Sequence, residues 1–185
     1  MNRLIAATGI TLTAGLVACY ILCCLNFFLG GSLAGWPRHL MFPFGMLCGV
    51  CFTRALFGPS RSGICRRGFW IELSILLIIA AAGICTLLQD FSYDGNVYHQ
   101  DIIAALMLGW NPFLDPMQPG LSLWAHHYAK GMEILSASAA VCFGNIEAGK
   151  CVNLLMIAGA SMLFASTLYA ILRRHISNRT TAITS

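Results

Sequence analysis

Four long apolar runs constrain this chain more than anything else in its sequence. A hydrocarbon core about 30 Å thick is crossed by roughly 20 apolar residues in helical form, and residues 4–29, 40–57, 69–88 and 151–173 approach or meet that length. The first run has no charge, with Asn26 and a few Thr as its only polar interruptions; the second is the shortest, holds Pro43 and has Arg54 near its end. Glu72 stands near the start of the third, and the fourth stops at Arg173 and Arg174. Lipid offers the backbone no hydrogen-bond partners, so such runs must be helices. The expected fold is an all-α membrane protein with about four transmembrane helices.

Composition narrows the function classes. The 185 residues are 58% apolar and only 10% charged, against about 25% charged in a soluble domain. That excludes a disordered chain and argues against an ordinary soluble enzyme. The net charge of +4 comes from scattered Arg residues with no basic stripe, so no nucleic-acid partner is expected. Cys19, Cys23, Cys24, Cys48, Cys51 and Cys85 lie inside apolar runs, where the thiol packs as a small hydrophobe. Cys48-x-x-Cys51 has redox or zinc-like spacing, yet no second pair accompanies it. Leu16-Val17-Ala18-Cys19 looks like a lipoprotein cleavage box. The apolar run continues past it for another ten residues, so an uncleaved anchor is the expected form.

Charge orients the spans. With a cytoplasmic N-terminus, Arg3, Arg54, Arg61, Arg66, Arg67, Arg173, Arg174 and Arg179 lie inside or at the inner boundary, and only Arg38, Lys130 and Lys150 lie outside. The positive-inside rule favours that arrangement. Asp90, Asp94, Asp101, Asp115, Glu133 and Glu147 all fall in the single outer segment 89–150. Both termini are thus expected in the cytoplasm, with residues 174–185 as a tail, in a bacterial inner (plasma) membrane.

The outer segment opens on turn formers, then gives a short helix over residues 97–108, ended by Gly109 and Asn111-Pro112. Pro112, Pro116, Pro119 and Gly120 make a loop. Residues 132–143 are apolar apart from Glu133, too few to span, and suit a helix buried at the interface or against other helices. Tyr93, Tyr98, Trp110, Trp124 and Tyr128 recur through the segment, as aromatic residues do at headgroup level.

Tyr93-Asp94-Gly95-Asn96-Val97-Tyr98-His99, the helix ending Gly109-Trp110-Asn111-Pro112, and Tyr128-Ala129-Lys130-Gly131 resemble the first outer loop of GT-C glycosyltransferases. These integral-membrane enzymes include protein mannosyltransferases and the lipid A aminoarabinose transferase. The resemblance implies sugar transfer from a polyprenyl-phosphate donor at the outer face, by a transferase or the N-terminal part of one. Membrane lipid is the expected partner. Such a reaction needs an acid to orient or deprotonate the acceptor or hold a metal, and a cation to offset charge on the leaving phosphate. Asp94, then Asp90, are the candidates for the acid, and Lys130 for the phosphate. Asp94 or Asn96 capping the following helix is the plainer alternative, as is Lys130 snorkelling toward headgroups.

A divalent metal is a further candidate, with Asp94, His99 and His126 as weak ligands. His126 and His127 are adjacent and point in different directions, so they do not chelate together. Lys150 beside Glu147 reads as an ion pair or boundary anchor, and Glu72 as a snorkelling or Arg67-paired acid. Ala158, Gly159, Ala160 and Ser161 form a small-residue face suited to close helix packing. The rival reading is a non-catalytic four-span scaffold or accessory protein, whose outer loop binds lipid or a partner.

Overall fold

The computed structural model describes residues 2–34, 38–58, 68–89, 98–116 and 130–184. Asp90, Asp94 and His126 lie outside them. Six helices and no strand occur among the described residues: α1 Asn2–Phe28, α2 Met41–Phe57, α3 Phe69–Leu87, α4 Gln100–Met107, α5 Gly131–Phe143 and α6 Cys151–Thr184. Two short 3₁₀ elements, Arg38–Leu40 and Ile146–Lys150, lead into α2 and α6. Four helical stretches are long and apolar enough to cross a bilayer, ending in α1, α2, α3 and α6 respectively. Their outward faces carry Ile21, Leu25, Leu47, Leu76, Ile79, Ile157 and Phe164, all exposed, which suits contact with acyl chains.

Helix α1 is the axis of the bundle, packed on α2 and α6 and more lightly on α3 and α5. Glycine permits the α1–α2 approach. A Cβ on Gly45 would lie 2.5 Å from the Cβ of Cys19, and one on Gly49 would collide with the Thr11 carbonyl oxygen. Gly45 and Gly49 are four residues apart, so both fall on the same helix face. At this crossing the Thr11 hydroxyl donates to Thr53 Oγ1 over 2.9 Å, and Thr53 donates to Gly49 O. Along α6, Gly159 lies against Gly9 and Thr13 of α1; of the other small residues expected to pack there, Ala160 and Ser161 are exposed. Cys48 and Cys51 are free thiols.

Helix α5 takes the buried one of the two placements its sequence allows. All nine residues from Glu133 to Val141 are buried, so the helix is wrapped by protein on every side. Ser136, Ala137, Ser138, Ala139 and Ala140 keep it thin enough for neighbouring backbones to close in. Ser138 meets Cys19 of α1 at 3.2 Å, and Phe143 meets Phe42 of α2 edge to face at 5.8 Å. His39 Nδ1 donates to Val141 O at 2.8 Å, and Nε2 of the same ring accepts from Arg38 at 3.1 Å. A carbonyl can only accept, so these two bonds fix a neutral tautomer. Gly144, at φ 70°, ends the helix in the left-handed conformation glycine takes without strain.

Asn111 joins the turn after α4 to the end of α1. It is buried; its amide donates to Phe27 O at 2.7 Å and Gly31 O at 2.9 Å, while Oδ1 accepts from the backbone N–H groups of Phe113 and Leu114. The Asp115 carboxylate accepts from the Asn111 backbone N–H. Trp110 is buried beside it. The Gly109-Trp110-Asn111-Pro112 stretch thus has a structural use in anchoring this turn.

Candidate functional site

The short helices create a site at the end of the bundle where α3 finishes and α6 begins. Tyr98 and His99 lead into α4, with His99 at its N-cap. His99 Nδ1 lies 2.8 Å from Glu133 Oε1 in the first turn of α5. The carboxylate can only accept when ionised, so Nδ1 carries the proton and the other ring nitrogen is the basic one in a neutral imidazole. The Tyr98 ring packs on the imidazole at 4.3 Å. Glu133 is 4% exposed, and its second oxygen, Oε2, has no hydrogen-bond partner among the described residues.

A second polar group closes the site. The Gln100 amide donates to Glu147 Oε1 at 3.1 Å, Glu147 pairs with Lys150, and Lys150 Nζ donates to Leu88 O at 3.1 Å. Lys150 therefore neutralises an acid and caps the C-terminus of α3 at once. That is the pairing and boundary role its sequence position implies. Gly149 makes this arrangement possible: a Cβ there would lie 2.7 Å from Ser136 O, so the 3₁₀ element rests directly on α5, one turn from Glu133.

Between these groups lies a cleft of about 650 Å³. Its polar lining includes His99, Glu133, Ser136, Lys150 and Asn153, and its apolar wall includes Ile84, Leu88 and Leu154 from the spanning helices. The arrangement suits an amphipathic molecule, with its head among the polar groups and its tail against the apolar wall.

Lys130 stands at the N-cap of α5, three residues before Glu133, and its carbonyl accepts from Ile134 N–H at 2.9 Å. It shares a helix face with Glu133 but does not line the cleft. Among the described residues no group of three or more His, Cys, Asp and Glu is placed to hold a metal ion; the ligand candidates Asp94 and His126 fall outside that set. Asp101 is exposed on α4 and Glu72 is exposed on the first turn of α3. Sequence reading passed over Glu133 as a binding group. The available signal was a lone acid in a run of small and apolar residues, one turn after a lysine.

With four helices fit to cross a bilayer, the chain is an integral-membrane helical protein. No family model, curated protein or solved structure matches it.

Proposed function

We propose that the protein is a GT-C-like membrane glycosyltransferase, or the N-terminal part of one, taking sugar from a polyprenyl-phosphate donor. The observation that carries this reading is the His99–Glu133 pair beside a cleft walled by spanning helices. An imidazole oriented by a carboxylate is a competent general base, and the apolar wall suits a lipid-linked substrate. In the proposed step the acceptor hydroxyl gives its proton to a base while its oxygen attacks the anomeric carbon. The bond from that carbon to the phosphate oxygen breaks, and the polyprenyl phosphate leaves. Asp94, with Asp90 behind it, remains the candidate acid, and Lys130 the cation offsetting charge on the leaving phosphate.

The test is transfer of labelled hexose from a polyprenyl-phosphate donor in proteoliposomes. Asp94→Asn and Lys130→Ala should each reduce transfer to background while the protein remains inserted. Activity retained in both removes the site assignment. A second reading, a non-catalytic four-span scaffold, draws on the close glycine-mediated packing of α1 with α2 and α6; it predicts no transfer by the unaltered protein.

The cleft belongs on the outer face of a bacterial inner membrane, with both termini cytoplasmic, because eight of the eleven Lys and Arg residues then lie inside. A membrane-impermeant thiol reagent applied to intact cells should leave Cys65 unlabelled. Labelling there reverses the orientation.

A further inference from the structure

The turn after α4 hides its backbone donors and shows its apolar side chains. Every N–H from Leu108 to Asp115 is taken within the protein: Leu108 donates to Ala104 O, Gly109 to Leu106 O, Trp110 to Ala105 O and Asp115 to Asn111 O. The Asn111 N–H goes to Asp115 Oδ2, and the Phe113 and Leu114 N–H groups share Asn111 Oδ1; Pro112 has no N–H. A surface turn in water can leave donors to the solvent, so pairing of every one is not required there. In lipid it is, because an unpaired backbone group has nothing to bind. Yet Leu108, Phe113 and Leu114 are all exposed, Leu108 by 81%.

The turn also stands at the depth of the membrane boundary. Asn111 bonds it to Phe27 O and Gly31 O at the end of α1, and Leu114 lies against Gly30. Phe28 and Leu29, beside these carbonyls, are exposed and continue the lipid-facing stripe of Ile21 and Leu25 along α1. The crossing of α1 with α2 sets the level. Gly45 faces Cys19, so two turns outward Arg38 falls level with Asn26. Arg38 opens the apolar stretch Arg38–Phe57, whose 20 residues match one hydrocarbon core in length. We infer that the Leu108–Asp115 turn is a lipid anchor: Leu108, Phe113 and Leu114, with Phe28 and Leu29, sit among the acyl chains just below the phosphates of one leaflet. The anchor holds whatever chemistry the cleft performs.

The experiment uses the purified protein in phospholipid nanodiscs, which open both faces to reagent and hold no other integral protein. Leu108→Cys, Leu114→Cys and Asp101→Cys are treated with a charged maleimide, and modification at each site is timed by peptide mass spectrometry. Asp101 is exposed on α4 and reports a water-facing thiol. Only the thiolate reacts, and apolar surroundings suppress it. The two leucine sites should therefore be modified about tenfold or more slowly than the Asp101 site, the effect of one pKa unit. All three side chains are exposed, so the substitutions leave the packing intact. Equal rates overturn the anchor.

A second measurement reads lipid contact directly. Leu114→Trp adds a tryptophan at the tip of the turn, and the emission it adds to that of the unaltered protein is followed in the same nanodiscs. Phospholipid brominated on the upper part of its acyl chains should quench most of the added emission, and acrylamide in the water little of it. Quenching by acrylamide and not by bromine places the turn in water and overturns the anchor. Quenching by neither shows that protein covers the turn, and overturns it too.

Discussion

Gly49→Val should separate α1 from α2 and cost about 3 kcal/mol or more of stability, at the upper end of overpacking penalties. The new Cβ would collide with the Thr11 carbonyl oxygen and lie 2.6 Å from the Gly15 nitrogen and 2.8 Å from its Cα. All three are backbone atoms, so no rotamer change relieves the clash; the helices themselves must move apart. That movement also breaks the 2.9 Å Thr11–Thr53 hydrogen bond, although such bonds between membrane helices are worth only about 0.6 kcal/mol on average. Gly83→Ala is the control, because nothing lies within 4 Å of the added Cβ. Denaturant unfolding in detergent micelles followed by circular dichroism should show a large drop for the first variant and none for the second. Equal midpoints would mean that the α1–α2 contact does not hold the bundle together.

Asn111→Ala should cost about 2–3 kcal/mol, the range for stranding buried polar groups. The variant loses the amide donor to Phe27 O and Gly31 O and the acceptor for Phe113 and Leu114 N–H. Asn111→Asp should be worse than alanine. It keeps the acceptor but points a negative oxygen at two carbonyls where an NH₂ stood, and it does so in a buried position. The same unfolding measurement gives the order asparagine, alanine, aspartate. An aspartate variant as stable as the parent would show that the amide hydrogens contribute nothing here.

The spans were legible because their cause is local: a long run without charge has one stable form in lipid. Of the small residues 158–161 only Gly159 is buried against α1, while Ala160 and Ser161 are exposed, because four consecutive residues point around a helix and not to one side. Lys150 and Glu147 lie three residues apart, within reach of a local reading. The His99–Glu133 bond joins residues 34 apart, and nothing in either neighbourhood announces the other. Asn111 illustrates a different gap. Its position before Pro112 marks the end of a helix, but its hydrogen bonds reach back 84 and 80 residues to α1 and the turn beyond. Residues 132–143 left two placements open because length excludes spanning and composition does not choose between surface and interior. The choice is made by tertiary packing: the Ile146–Lys150 3₁₀ element and α4 lie most heavily on α5, with α1 and α2 on its other sides.

The depth of α5 has a consequence for how the chain is assembled. Thirteen residues are too few for the insertion machinery to laminate across a bilayer, so this helix does not enter as a span in its own right. Its place is set instead by fit against the protein elements around it, which bury Glu133 along with the rest of its core residues.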